Sequence, residues 1–200
     1  IPFPHSLGWL FSQVTQLIGF HPHGDEHKTQ WLGLEGEPVF EKLFVEILGG
    51  GTADTPRLQS RYFTPGLAGS TAFSPRFYKA IGVEPATQDA APNNLPRAPL
   101  PESVCRQLAA SVQQACSVVA AQIAESARSA TGAKELCLAG GLFLNPVIVS
   151  EVERLTGFDR VFVQPAAGNE GTALGAAWYI RHHAQGAPRQ APIDHVYWGP

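Results

Sequence analysis

The fold is specified most clearly by residues 135–177, which read ELCLAGGLFLNPVIVSEVERLTGFDRVFVQPAAGNEGTALGAA. This segment repeats one design twice: a short apolar run, a glycine-rich turn, and then a stretch with helical spacing. The runs at 135–139 and 160–164 predict two buried strands, and residues 145–156 and 171–183 predict the helices. Two strands separated by a helix favour a parallel pair with a right-handed crossover, so this segment predicts an α/β fold.

The first glycine turn is a candidate ligand site. Gly140 and Gly141 follow the first predicted strand, and adjacent glycines let a ligand approach the backbone because no Cβ intervenes. Free amides at the start of the next helix favour an anion or a ribose-phosphate. Asn145 offers a donor and an acceptor at the mouth of this turn. Taken alone, the motif fits a close-packed structural turn equally well.

The second glycine turn has the same form. Gly168 and Gly171 bracket Asn169 and Glu170, and Thr172 is suited either to bond a phosphate or to cap the next helix. A close-packed turn is again the structural alternative. Ligands bind at the carboxyl ends of neighbouring parallel strands, so two such turns predict a nucleotide site more strongly than one does.

A third candidate is the charged segment GDEHK at 24–28. Lys28 is suited to bind phosphate, and Asp25 is suited to bind a ribose hydroxyl or a metal, although a solvated charged turn is the simpler interpretation. Nearby histidines resemble metal ligands in their spacing, but loop histidines that bind nothing are commoner. These histidines are His21, His23 and His27.

The rest of the chain predicts further elements around this α/β segment. Amphipathic helices are predicted at 6–20 and 102–131 from apolar residues three and four apart. Short apolar runs at 44–48 and 58–63 predict a hairpin around the glycines between them. Two segments rich in proline, glycine and polar residues predict loops, at 21–38 and 84–101.

Composition limits the partners. Hydrophobic residues make up 44% and charged residues 16%, with a formal net charge of -3, as in a protein with a packed core. No basic stripe is present, so nucleic acid is not an expected partner. No apolar run reaches the ~18 residues of a membrane span, so no membrane is expected either. The three cysteines match no zinc pattern and predict free thiols, buried or half-buried, in a reducing cytoplasm.

Four segments, taken in order, resemble the NodU/CmcH carbamoyltransferases: FPHSLGWLFSQVTQLIGF, GDEHKTQWLGL, LCLAGGLFLN and VFVQPAAGNEGTALGAAW. The resemblance covers residues 1–184 and is weakest at 50–130. It implies an RNase H-like subdomain of the actin-like ATPase superfamily, with a mixed sheet and flanking helices. Residues 185–200 are then expected to be a linker toward a C-terminal domain. The chain contains no methionine, which predicts that it was cut from a longer protein.

The resemblance also implies an activity, that of an ATP-dependent O-carbamoyltransferase. In such enzymes a YrdC-like domain makes carbamoyl-adenylate from carbamoyl phosphate and ATP. The actin-like domain then passes the carbamoyl group to a hydroxyl of a sugar or natural-product acceptor. An oligomer is compatible with this interpretation. The residues expected to bind the nucleotide are Gly140, Gly141, Asn145, Gly168, Gly171, Thr172, Asp25 and Lys28.

A metal is implied as well, an iron-like or zinc-like divalent ion held by histidines and an aspartate. The histidine motif is expected before Ile1 and the YrdC-like domain after Pro200, so this chain alone should not catalyse the full reaction. The family commonly reads Gly-Asp-x-Gly where this chain has Asn169 and Glu170 between its glycines. Either Glu170 replaces the aspartate, or the metal site is altered.

Two other functions stay open at this point. One is a different enzyme on the same fold, such as a kinase or an ATPase, which would bind the adenine nucleotide at the same glycine turn. The other is a non-catalytic interaction module whose metal site has decayed, which the asparagine at position 169 favours.

Overall fold

The computed structural model describes residues 5–52, 55–64, 73–84 and 100–189. Within these ranges the chain is mostly helical, and its strands form one two-stranded parallel sheet. None of the helices in these ranges combines the length and the apolar character needed to cross a membrane. The helices and strands are α1 Leu7–Leu17, α2 Glu26–Leu34, α3 Glu41–Leu48, α4 Pro75–Ala80, α5 Glu102–Thr131, β1 Glu135–Leu138, α6 Pro146–Leu155, β2 Arg160–Val163 and α7 Gly171–Trp178.

Three short helical turns complete the described part: the 3₁₀ turns Ser60–Tyr62 and Gly141–Leu144 and a π-helical turn at Tyr179–Ala184. The predicted helix at 171–183 is therefore an α-helix only as far as Trp178. Most of the predicted loop at 84–101 and of the predicted linker at 185–200 lies outside the described residues.

Helix α5 is the axis of the structure. It spans 30 residues, with the bounds that the sequence pattern predicts, and it ends at Gly132, whose φ of +66° suits a glycine. Its apolar face is fully buried at Leu108 and Val112. Helices α1, α2, α3 and α6 all pack against α5.

Helix α1 begins as predicted. The Ser6 hydroxyl accepts a hydrogen bond from the Trp9 amide at 3.3 Å, which caps the helix. A buried polar contact joins α1 to α2, where the Thr29 hydroxyl donates to the Thr15 hydroxyl at 2.8 Å. Neither threonine is exposed to solvent, and the Thr15 hydroxyl donates in turn to the Phe11 carbonyl at 3.0 Å, so both hydroxyls are paired in the interior.

The prediction of a loop at 21–38 is wrong, because α2 occupies its centre. Only Thr29 and Gly33 of this helix are buried, so it has no apolar stripe from which periodicity could predict it. A Cβ at Gly33 would lie 3.1 Å from the carbonyl oxygen of Ala109, so the absence of a side chain lets α2 approach α5 closely. Tertiary packing, rather than an amphipathic pattern, holds this helix in place.

The predicted hairpin at 44–48 and 58–63 is also wrong. Residues 44–48 belong to α3, which buries Phe44, Ile47 and Leu48 at helical spacing. A short apolar run fits either element, and here the helix places its large side chains on one face. Beyond α3, the described residues fold back through isolated bonds, in which the Gly50 amide donates to the Arg57 carbonyl and the Gln59 amide donates to the Ile47 carbonyl, both at 2.8 Å.

A cluster of aromatic rings joins α3 and α4 in the core. The rings of Phe73 and Phe77 stack with centroids 3.9 Å apart, and Phe44 meets Phe77 edge-on at 6.0 Å. Phe63 stacks on Phe73 at 5.5 Å. Such ring pairs stabilise by roughly 0.5–1.5 kcal/mol beyond area burial. They therefore hold α4 to the core although the helix is short.

The two strands pair in parallel, as predicted. Leu136 lies opposite Val161, and Leu138 lies opposite Val163. These four side chains join the hydrophobic core, while Phe162 on the other face is 58% exposed. The described sheet therefore buries one face only, and it contains parallel strands rather than the mixed sheet that was expected.

The cysteine prediction is confirmed for two of the three thiols. Cys105 and Cys116 are free and buried, and burial raises the pKa of Cys116 to about 12, which keeps its thiol protonated and unreactive. Cys137 is also free, but it is exposed, because it alternates with the inward-facing residues of β1.

Glu125 ties the second half of α5 to the loop before β2. Its carboxylate accepts hydrogen bonds from the Arg128 guanidinium, at 2.8 Å from Nε, and from the Gly157 amide at 3.2 Å. These bonds, that of Arg128 first, lower the pKa of Glu125 from 4.5 to about 2.

Glu125→Gln is expected to lower the free energy of unfolding in a pH-dependent way. The pKa of Glu125 is lower in the folded than in the unfolded state, so its contribution is present above about 4.5 and is lost as pH falls toward about 2. In urea unfolding, the difference in free energy of unfolding between the variant and wild type should become smaller from pH 7 down to about pH 3. Glu153→Gln, at an exposed position of α6, is the control. A gap that stays constant with pH would contradict this account.

Candidate nucleotide site

The structure brings the two glycine turns together. The Gly140 amide donates to the Ala167 carbonyl at 2.7 Å, and the Gln164 amide donates to the Leu138 carbonyl at 3.1 Å. These bonds continue the contact between β1 and β2 beyond their carboxyl ends. The turns therefore lie side by side at the sheet edge where ligands bind in parallel α/β structures.

Gly140 and Gly141 serve different purposes in the first turn. Gly140 has φ +118° and ψ 144°, a conformation that residues with a Cβ rarely adopt, and there the chain leaves the strand. Gly141 begins the 3₁₀ turn, and a Cβ on it would meet nothing within 4 Å. Among the described residues, the amides of Gly141 and Leu142 have no acceptor. Two donors of this turn are therefore left without a partner within the described residues.

Asn145 lies behind the first turn. Its side chain is 8% exposed, and Oδ1 accepts from the amides of Val147 and Ile148 at 3.1 and 3.3 Å, which caps α6. Its Nδ2 donates to Oε1 of Gln113 at 2.8 Å. The side-chain amide of Asn145 makes its hydrogen bonds inside the protein, so Asn145 supports the turn. Its direct contact with a nucleotide stays a prediction.

The second turn is held mainly by its own polar groups. Glu170 Oε1 accepts the Gly168 amide at 3.1 Å, and the Thr172 hydroxyl donates to the Asn169 carbonyl at 2.6 Å. A Cβ on Gly171 would overlap the carbonyl oxygen of the nearby Ala166, so this glycine is required by close backbone packing. Thr172 therefore bonds within the turn without capping α7, and its contact with a phosphate stays a prediction.

The described residues do not fit a complete metal centre. Nowhere in the described ranges do three or more His, Cys, Asp or Glu side chains come together in a way that could hold a metal ion. Asn169 and Glu170 are exposed, and Glu170 already bonds the Gly168 amide. Glu170 supplies at most part of a ligand set here, and its role as a metal ligand stays a prediction.

The charged segment at 24–28 lies at the start of α2, with Glu26, His27 and Lys28 in the first turn of that helix. Lys28 Nζ pairs with Asp25 at 2.9 Å, and Asp25 also accepts the His21 amide at 3.1 Å. The bond from Lys28, followed by that from His21, lowers the pKa of Asp25. Within the described ranges, no hydrogen bond or ion pair links this segment to either glycine turn. A nucleotide contact by Asp25 or Lys28 stays a prediction.

One residue of this site was missed by the sequence reasoning. Gln113 lies on α5, is 6% exposed, and bonds Asn145 from across the core. The available signal was a pair of adjacent glutamines, Gln113 and Gln114, in a stretch of α5 whose other residues are apolar or small. That signal does not reveal the partner, because the contact spans 32 residues of sequence.

Comparison with known proteins places the chain in a family. Residues 1–178 match the family model described as Carbamoyltransferase N-terminus. An uncharacterized protein of Synechocystis sp. is 35% identical over 183 residues, covering 91% of this chain and 28% of that protein. Nodulation protein NolNO of Sinorhizobium fredii is 31% identical over 209 residues, covering 100% of this chain and 26% of that protein. Nodulation protein NolO of Bradyrhizobium diazoefficiens is 41% identical over 96 residues, covering 48% of this chain and 17% of that protein.

The fold and the paired turns define an α/β unit of the kind that binds small ligands at the ends of parallel strands. The chain belongs to the carbamoyltransferase family, since the match to that family's N-terminal domain covers most of its length. The resemblance to the NodU/CmcH carbamoyltransferases is thereby confirmed. The chain spans little more than a quarter of the length of its first two relatives, at 28% and 26%.

The two glycines of α7 should respond in opposite ways to the same substitution. Gly171→Ala should destabilise the helix, because the new Cβ meets the Ala166 carbonyl, and overpacking typically costs about 1–3 kcal/mol. Gly175→Ala meets open space and should stabilise α7 by up to ~1 kcal/mol through helix propensity. Amide hydrogen exchange across Gly171–Trp178 should be faster in the first variant and slower in the second. Equal rates in both would reject the packing role of Gly171.

Proposed function

We propose that this chain forms the nucleotide-binding wall of an ATP-dependent O-carbamoyltransferase. The proposed reaction moves a carbamoyl group from carbamoyl-adenylate to a hydroxyl of a sugar or natural-product acceptor, with carbamoyl phosphate and ATP as the sources of the adenylate. The proposed setting is an RNase H-like domain of the actin-like ATPase superfamily in a cytoplasmic protein. Because the relatives are much longer than the matched region, the full reaction is proposed for the whole protein.

The observation that carries this proposal is the linked pair of glycine turns. The bond from Gly140 to Ala167 joins them, the amides of Gly141 and Leu142 have no acceptor among the described residues, and a Cβ on Gly141 would meet nothing within 4 Å. Phosphate oxygens are strong acceptors, and backbone amides are common phosphate ligands because they add no bulk. A nucleotide phosphate therefore fits this turn in both hydrogen bonding and space.

The proposed group transfer has a chemical step at the carbamoyl carbon and a binding step at the adenylate phosphate. The acceptor hydroxyl oxygen forms a bond to the carbamoyl carbon, and the bond from that carbon to the adenylate phosphate oxygen breaks. AMP leaves with the bonding electrons, and the hydroxyl proton passes to a base. The described residues of this chain are proposed to hold the adenylate phosphate, so that its carbamoyl group faces the acceptor.

Gly141→Val tests the proposed site directly. The added side chain meets no protein atom near its Cβ, so the fold should be retained, while the space over the free amides is filled. Calorimetry with a non-hydrolysable ATP analogue on the full-length protein should show affinity reduced on the order of 100-fold or more, equivalent to about 2.7 kcal/mol. Gly175→Val, which also enters open space, is the matched control and should bind as wild type does.

Wild-type affinity in the Gly141→Val protein would reject this nucleotide site. A second assay separates the proposed transferase from a kinase or ATPase of the same fold. In the proposed reaction, pyrophosphate release from ATP requires carbamoyl phosphate. ATP hydrolysis that is independent of carbamoyl phosphate would count against the carbamoyltransferase and favour the other enzyme class.

A further inference from the structure

The buried contact between α5 and the first glycine turn is a pair of side-chain amides. Asn145 Nδ2 donates to Gln113 Oε1 at 2.8 Å, and Gln113 Nε2 donates to Asn145 Oδ1 at 3.4 Å. Both residues are buried: Gln113 is 6% exposed and Asn145 is 8% exposed. A reciprocal pair of this kind satisfies polar groups that would otherwise be costly in the interior.

This pair fixes which way the Asn145 amide faces. Oδ1 accepts the amides of Val147 and Ile148 at the start of α6, and this arrangement leaves Nδ2 directed toward α5. Gln113 supplies the acceptor for Nδ2 there. If Gln113 is removed, a buried donor loses its partner, and the Asn145 side chain loses the bond that holds its rotamer.

Asn145 also closes the turn through its backbone. Before the turn, the chain is fixed by the bond from the Gly140 amide to the Ala167 carbonyl. At the end of the turn, the backbone amide of Asn145 donates to the Leu142 carbonyl at 3.2 Å. The two free amides, of Gly141 and Leu142, lie between these fixed points. Their direction therefore depends on the position of Asn145.

We propose that Gln113 is a positioning residue of the nucleotide site, which acts through Asn145 to aim the amides of Gly141 and Leu142. This inference rests on the proposed function, because it assigns those amides to the phosphate. Gln113 is well placed for the role, since α5 is the helix on which α1 and α6 pack, and α1 also contacts the Gly141–Leu144 turn. The position of the turn is thus set by contacts with the most extensively packed element of the described chain.

Gln113→Met is the appropriate variant. Methionine keeps the unbranched shape, the approximate volume and the helix propensity of glutamine, and it removes only the hydrogen bonds. Gln122→Met is the matched control, because it makes the same change at an exposed position of the same helix. Gln113→Ser is the second variant, to be used if the methionine protein does not fold. Its hydroxyl satisfies itself on the preceding helical turn and cannot reach Asn145.

Two measurements on the full-length protein are needed. The first is amide hydrogen exchange at Val147 and Ile148, which reports the Asn145 cap without any ligand. Exchange there should be roughly tenfold faster in the Gln113 variant and unchanged in Gln122→Met. The second is affinity for a non-hydrolysable ATP analogue at a temperature where both variants are folded. It should fall roughly tenfold in the Gln113 variant only, which is about 1.4 kcal/mol.

The outcomes distinguish the positioning role of Gln113 from the proposed nucleotide binding. Faster exchange together with weaker ATP binding supports the positioning role. Unchanged exchange overturns it, and so does wild-type ATP affinity in a variant whose thermal stability alone has fallen, since Gln113 would then be merely structural. If the wild-type protein itself binds no ATP analogue, the proposed function fails, and the exchange measurement still decides whether Gln113 holds the turn.

Discussion

The burial of the apolar face of α5 is the constraint on which the rest of the structure depends. Within the described residues, helices α1, α2, α3 and α6 lie against this one. Helix α3 buries large side chains such as Phe44, whereas Gly33, which has no side chain, lets α2 approach α5 closely. Since a small domain has few alternatives for covering a long helix, the position of α5 fixes the positions of its neighbours.

The candidate site depends on the same helix through polar rather than apolar contacts. Gln113 faces the core and meets Asn145, and Asn145 in turn caps α6 and ends the first glycine turn. The second turn is attached to the first by the bond from Gly140 to Ala167. A site built in this way is held by buried hydrogen bonds with defined directions, which is the property that recognition of a phosphate requires.

The sequence predicted the second half of the fold well. Both strands follow from short apolar runs, and α5 and α6 follow from helical spacing punctuated by glycine. The strands are exposed on one face rather than buried as predicted, and α7 ends at Trp178, before the predicted bound. The first half was predicted less well, because α2 has no apolar stripe and α3 is too short for its period to exclude a strand. The same limit applies to Cys137, whose exposure depends on which face of the sheet the core covers.

By itself, the sequence determined the family, the order of the elements from α5 to α7 and the glycines on which both turns depend, because these are local features of residue type and spacing. Only the tertiary structure decided which of the predicted site residues lie together. It joined Gly140 to the turn before α7, left Asp25 paired with Lys28, and gave Asn145 a partner in Gln113. The physical reason is that a buried hydrogen bond is satisfied by whatever group lies nearest in space, and spacing along the chain does not record that neighbour.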